Sequence, residues 1–204
     1  MKLLLTSNGF YTEKIKKQFL KLLDGVPKEL NVAIITTASP KKEKNPFAQK
    51  AKRDFKEMGF EKIEFIDVEF DDPKRLLGKD IIYINGGNPF HLLFHVKKSG
   101  ADKILQQLAS RNVAIVGVSA GSVILGPNMK VVHFFTPEMN AYKMKDFSAL
   151  GLTDQIIFPH YDREDIFKDE FNRSIEERLT EFELLENCKV TRLKDEDYVI
   201  IEEY

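Results

Sequence analysis

Apolar runs of strand length alternate with segments of helical period along most of the chain. Leu3–Thr6, Val32–Thr37, Ile63–Val68, Ile81–Ile84 and Val113–Val118 predict strands. Between them, Ile15, Phe19, Leu22 and Leu23 recur at helical spacing and stop at Asp24-Gly25. Asn45-Pro46 opens a second helix, whose expected inner face is Phe47, Ala51, Phe55 and Met58 and whose stop is Gly59. Asn85-Gly86-Gly87-Asn88-Pro89 breaks the fourth strand and opens a helix carrying Leu92, Leu93 and Val96; a further helix is expected near Lys103–Ser110. Strands alternating with helices imply parallel pairing with helices on both faces. The unbroken run Ile81-Ile82-Tyr83-Ile84 fits a strand covered on both sides. The expected fold is α/β, a three-layer sandwich around a mostly parallel sheet, in one domain spanning residues 1–204.

The last third is less regular. Val131–Phe135 and Ile156–Phe158 read as short strands. Arg163 to Leu185 suits a long amphipathic helix with Phe167, Phe171, Ile175, Leu179 and Phe182 inward. Val190–Leu193 and Tyr198–Ile201, split by Lys194-Asp195-Glu196-Asp197, read as a closing hairpin.

Composition narrows the partners. The formal net charge of -1 gives no global field favouring nucleic acid or an anionic membrane. One cysteine, Cys188, excludes an intramolecular disulfide and the common zinc frameworks. The first residues lack a signal-peptide pattern and no apolar stretch approaches transmembrane length, so a cytoplasmic protein is expected.

The densest chemical signal is Ala114-Ile115-Val116-Gly117-Val118-Ser119-Ala120-Gly121-Ser122. It reads as a strand running into a Gly-x-Ser-x-Gly turn and then a helix. Small neighbours are what a sharp strand-to-helix elbow requires, and the serine hydroxyl would stand exposed at the end of the sheet. Such a serine needs a base, a carboxylate to orient that base, and donors for an oxyanion. His91 and His95 lie four apart on a predicted helix, a spacing compatible with zinc, but no third ligand is evident and surface or packing roles are expected. His133 falls within an apolar run and is expected to be structural. His160 follows the strand Ile156-Ile157-Phe158 and Pro159, so it lies at a strand end, where open α/β sheets place their sites. Glu138, Asp146, Asp154 and Asp162 are candidate orienting carboxylates, and spacing alone does not choose among them. Gly86-Gly87-Asn88 is a natural second oxyanion loop, with Asn88 also able to cap the following helix.

Four segments together resemble peptidase E, the aspartyl dipeptidase family of serine peptidases, which is related to the cyanophycinases. They are Leu3-Leu4-Leu5-Thr6-Ser7-Asn8, Asn85-Gly86-Gly87-Asn88-Pro89-Phe90-His91-Leu92-Leu93, Gly117-Val118-Ser119-Ala120-Gly121-Ser122 and Phe158-Pro159-His160-Tyr161-Asp162. The resemblance implies a class I glutamine amidotransferase-like fold with serine at the elbow. It implies Ser119 as nucleophile, His160 as base, and the N–H groups of Gly87 and Ala120 as oxyanion donors. The family's Thr-x-Asp-Met falls on Thr136-Pro137-Glu138-Met139, which makes Glu138 the expected acid and the expected triad Ser-His-Glu. Asn88 and Arg173 are the expected substrate-binding residues, and the resemblance implies Arg173 as the cation that selects an aspartate carboxylate. Three features depart from the family pattern: Val118 replaces threonine, Glu138 replaces aspartate, and the serine-to-acid spacing is longer. The expected activity is cleavage after an N-terminal aspartate in short peptides, with no metal or cofactor; nucleic acid and membrane are not expected partners, and a homo-oligomer stays open. The rivals are a related hydrolase acting on an isoaspartyl or cyanophycin-type peptide or an ester, and a non-catalytic binding protein that keeps the fold.

Overall fold

A computed structural model describes residues 1–202; the last two positions of the expected 1–204 domain lie outside the described residues. The strands are β1 (Lys2–Thr6), β2 (Asn31–Ile35), β3 (Lys62–Ile66), β4 (Ile81–Ile84), β5 (Ala114–Val118), β6 (Ile156–Pro159), β7 (Val190–Leu193) and β8 (Tyr198–Glu202). The helices are α1 (Glu13–Lys21), α2 (Pro46–Glu57), α3 (Pro89–Ser99), α4 (Ala101–Ser110), α5 (Ala120–Leu125), α6 (Lys130–Phe135) and α7 (Ile175–Glu186). Six strands form the central sheet in the order β3-β2-β4-β5-β1-β8. All pairs are parallel except β1–β8, where Thr6 faces Tyr198.

Alternation along each strand builds two cores. Leu3 and Leu5 of β1 join Leu92, Leu105 and Ile124 from α3, α4 and α5. Leu4, one residue between them, joins Phe19 of α1 and Phe55 of α2 on the other face. This period of two is why a sheet covered on both sides reads as a continuous apolar run. The expected three-layer architecture is therefore present.

The smaller second sheet holds only β6 and β7, in parallel. Its Ile157 and Leu193 pack toward the central core, while Phe158 and Val190 pack with residues of α6 and α7. Three expectations for this region change. Val131–Phe135 is helical rather than extended, because Val131 and Phe135, four apart, both enter the apolar cluster with α7. That burial outweighs the preference of β-branched and aromatic residues for strands. The long helix starts only at Ile175, where Ser174 and Glu177 form a reciprocal cap. Upstream, Asn172 takes a left-handed conformation, with φ of 55°, and Phe171 is exposed. Phe47 on α2 is also exposed rather than inward.

The third change matters most. β7 and β8 do not form a hairpin; β7 pairs with β6 and β8 pairs with β1. The turn between them therefore crosses from one sheet to the other.

Candidate active site

The Ser119 turn is shaped by main-chain crowding. Ser119 sits between β5 and α5 with φ 49° and ψ -111°, a conformation that costs about 1–3 kcal/mol in a non-glycine residue. Its N–H donates to the Thr6 carbonyl at 2.9 Å. The flanking glycines are sterically required. A Cβ on Gly117 would meet Ser122 Cα at 2.7 Å, and one on Gly121 would meet the Ile84 carbonyl oxygen at 2.2 Å. Fully buried Ser122 locks α5 to β1: its hydroxyl donates to the Thr6 carbonyl at 2.8 Å and accepts from the Thr6 N–H at 3.0 Å. The spacing seen in the sequence thus has a geometric cause on each side of the serine.

The Gly86-Gly87 loop lies directly against this turn. A Cβ on Gly86 would be 3.1 Å from Ser119 Cβ. Gly87 has φ 148°, and a Cβ there would meet the Ala38 carbonyl oxygen at 2.3 Å. Gly87 and Ala120 both line the same pocket wall as Ser119. Their N–H groups are the expected oxyanion donors. Asn88 spends its side chain on structure: Oδ1 accepts from the N–H groups of Phe90 and His91, and Nδ2 donates to the Met139 carbonyl. It lines the pocket, but its amide is committed to capping α3.

His160 follows β6 in a left-handed conformation, φ 57°. Its Nε2 lies 3.0 Å from Ser119 Oγ. On the other side of the ring, Nδ1 lies 2.7 Å from Asp195 Oδ1. The carboxylate on His160 is thus Asp195, and not Glu138, which is exposed on the turn Pro137–Met139. Asp146 is exposed and bonded to Ser148; Asp154 is likewise exposed. Asp162 contributes indirectly, accepting from the Asp195 N–H at 3.2 Å.

Topology explains the arrival of Asp195. Leu193 at the end of β7 pairs with Pro159, the residue before His160, and Tyr198 at the start of β8 pairs with Thr6. The residues joining them are forced to pass both His160 and Ser7. Fully buried Ser7 uses that proximity: its hydroxyl accepts from the His160 N–H at 2.7 Å and donates to Asp195 Oδ1 at 3.0 Å. Asn8 Nδ2 donates to Asp195 Oδ2 at 3.3 Å. Asp195 lies within a charged run that reads locally as a solvated turn, so nothing near it in sequence marks it. The available signal was Ser7-Asn8, polar residues placed at the end of a buried strand.

Arg173 is not at this site. Its guanidinium is held by Asp169 at 3.0 Å and Glu181 at 2.7 Å, outside both cavities beside Ser119. His133 stacks on Phe147, with ring centroids 4.4 Å apart, as a structural residue.

Two cavities meet at Ser119. One, of about 460 Å³, is lined by Phe10, Tyr83 and Val118 together with Lys50, Asp54, Asn85 and Arg163. Burial pushes the Tyr83 hydroxyl pKa well up, so it stays neutral there. Asn85 Nδ2 is buried without a partner among the described residues. The other, of about 280 Å³, is mainly apolar, with Val123, Phe135, Met139 and Phe158. Gly87, Ser119, His160 and Ile166 belong to both.

The model of peptidase family S51 matches residues 3–203. This chain belongs to peptidase family S51. It is 31% identical over 134 residues to the uncharacterized peptidase Lmo0363 of Listeria monocytogenes, a match covering 64% of this chain and 65% of the relative. It is 29% identical over 128 residues to peptidase E of Streptomyces coelicolor, covering 63% of this chain and 51% of that protein. The chain thus spans about two thirds or less of the length of these curated relatives. A 1.5 Å crystal structure of a Listeria monocytogenes EGD-e protein assigned to peptidase E has the same fold, with a TM-score of 0.78 and 24% identity, covering 98% of this S51 chain and 93% of that one.

Proposed function

We propose that this S51 protein is a serine peptidase that cleaves short peptides after an N-terminal aspartate, using Ser119, His160 and Asp195. The reading rests on one observation above all: an unbroken path from Ser119 Oγ to His160 Nε2 at 3.0 Å and from Nδ1 to Asp195 at 2.7 Å, built on a strained serine. In this mechanism Ser119 Oγ forms a bond to the scissile carbonyl carbon while its proton passes to His160 Nε2. The N–H groups of Gly87 and Ala120 receive the developing oxyanion, each donor worth about 3–4 kcal/mol in comparable sites. The C–N bond then breaks, and the leaving amine takes the proton from His160. Water repeats the sequence on the acyl-enzyme and frees Ser119. Asp195 holds the Nδ1–H tautomer and balances the imidazolium charge. A chain ending in Glu138 is replaced by this Ser-His-Asp arrangement.

The aspartate preference needs a cation facing the cavity. Lys50 and Arg163 line the larger cavity, where Lys50 is bonded to Asp54 and Arg163 to Asp165. They replace Arg173 as the selecting cations. The smaller, apolar cavity would take the other residue of the substrate.

The test is turnover of Asp-para-nitroanilide and an Asp-Xaa panel by wild type, Ser119→Ala, Lys50→Met and Arg163→Met. Loss of turnover in Ser119→Ala, with kcat/KM for Asp-Xaa falling more than for Asn-Xaa in a cation variant, is the expected result. Equal loss for both peptides in both cation variants would reject the assignment of the selector. Activity confined to β-linked aspartyl peptides would move the substrate class to the isoaspartyl alternative.

A further inference from the structure

His91 and His95 are one turn apart on α3, so their side chains share one face of the helix. Their ring centroids lie 4.5 Å apart. The sequence offers no third ligand beside them, but the fold supplies one. Glu69 follows β3, and its carboxylate lies 3.1 Å from His91 Nε2 and 3.6 Å from His95 Nε2. One ligand atom from each of the three residues lies within 4.8 Å of the other two. A tetrahedral zinc ion with bonds near 2.0–2.1 Å separates its ligand atoms by about 3.3 Å. The two histidine-to-carboxylate separations, 3.1 and 3.6 Å, bracket that value, and the third pair lies within 4.8 Å.

We propose that Glu69, His91 and His95 form a binding site for a divalent transition metal of the zinc class. The surroundings suit that role. The Tyr142 hydroxyl lies 2.6 Å from His91 Nδ1 and can accept its proton, which leaves the Nε2 lone pair turned toward Glu69. Metal-bound histidines commonly have their second nitrogen fixed by such an outer partner. The same hydroxyl lies 3.1 Å from His95 Nε2, a contact that a metal on that nitrogen would displace. His95 is buried, so its ring is held in place by packing on α3. Two imidazoles and one carboxylate are a hard-to-borderline donor set that fits zinc, cobalt or nickel better than calcium or magnesium.

Lys42 is the competing cation. Its ammonium bonds Glu69, 23% of that lysine side chain is exposed, and it can swing into solvent when a divalent ion takes the carboxylate. The site borders the Gly87 loop without entering either cavity: the His91 N–H is bonded to Asn88 Oδ1, two contacts away from the expected oxyanion donor. A bound ion would fasten the β3 loop to the first turn of α3. The inference is independent of the serine chemistry.

The experiment uses untagged full-length protein carrying Cys188→Ser, which removes the one thiol, stripped with chelator and dialysed. Zn²⁺ is titrated by calorimetry and by competition with a chromophoric chelator, and Co²⁺ is followed by its visible absorption. One saturable equivalent of Zn²⁺, a tetrahedral Co²⁺ spectrum, at least tenfold weaker binding in Glu69→Gln and in His91→Gln, and tighter binding in Lys42→Met are expected. The glutamine variants are checked for native circular dichroism, and both positions are partly exposed, so folding is retained. Absence of a saturable equivalent, or Zn²⁺ binding unchanged in Glu69→Gln and His91→Gln, would overturn the proposal.

Discussion

Ser119 stands on a turn whose shape comes from main-chain contacts inside the large parallel sheet, whereas His160 and Asp195 hang from a two-strand ribbon fastened largely by side chains. On the serine side, glycines at 117 and 121 touch backbone atoms of neighbouring elements, and Ser122 clamps β1. On the histidine side, Arg192 of β7 binds both Glu176 and Glu183 of α7, and Arg178 lies over the Phe135 ring with its guanidinium carbon 4.0 Å from the centroid. The difference teaches where each half is fragile. The first half has no room for a single added methyl group at Gly117 or Gly121. The second should loosen gradually as charges are removed.

The largest expected effect tests whether the two halves form one machine. Ser119→Ala and His160→Ala should each lower kcat by about four to six orders of magnitude, and the double variant should be little worse than either. Additive losses would mean that the halves act separately. Next, Asp195→Asn should lower turnover by about 10²–10⁴ through the wrong imidazole tautomer, with little change in KM, while Glu138→Gln should leave kcat within about twofold of wild type. The reverse ranking would return the orienting role to Glu138. Ser7→Ala removes the hydrogen bond to Asp195 and the acceptor of the His160 N–H, and should cost at least about tenfold in kcat, since a bond to a charged group alone is worth roughly 1.5–3 kcal/mol.

Stability measurements sharpen the contrast further. Gly121→Ala forces a Cβ to within 2.2 Å of the Ile84 carbonyl oxygen, and should destabilise the protein by about 3 kcal/mol as measured by urea unfolding. Acid should loosen the other half first. Hydrogen bonding from Arg192 holds the Glu176 and Glu183 pKa values below their ordinary range. A carboxylate with a depressed folded pKa stabilises the fold above its unfolded value, and that contribution is lost as pH falls through the folded one. The window is therefore below about pH 4.5, and Arg192→Met should flatten the fall of Tm there. The change should stay below about 1 kcal/mol, because Glu176 is half exposed and solvent screens the pair.

The same division governs what the sequence could disclose. Elements whose burial repeats with the period of one strand or helix were readable: all five strands of the parallel sheet, the helices between them, and Ser119 at the elbow. Gly86 and Gly87 were readable because a close approach leaves a glycine behind. His160 was readable from its place after a strand. Asp195 was not, since its role depends on β7 and β8 pairing with different strands, and a charged run of four carries no trace of its neighbours across the fold. Glu138 was favoured by a motif that the chain only approximates. Arg173 was misplaced because the helix expected to carry it past the site begins two residues later, at Ile175. Glu69 was invisible as a companion of His91 and His95 for the same reason as Asp195: the contact spans 22 residues and arises only when β3 is in place.

The crossing of Asp195 between sheets has a consequence for synthesis. Ser7 and Asp195 are bonded across 188 positions of the chain, and the turn carrying Asp195 is pinned only when β8 closes against β1. During translation, the serine elbow can assemble from β1, β4 and β5 while β8 is still unmade. Such a nascent chain would hold Ser119 on its strained turn before Asp195 stands against His160. On the proposed reading, the Ser119–His160–Asp195 path is complete only once β8 has paired with β1.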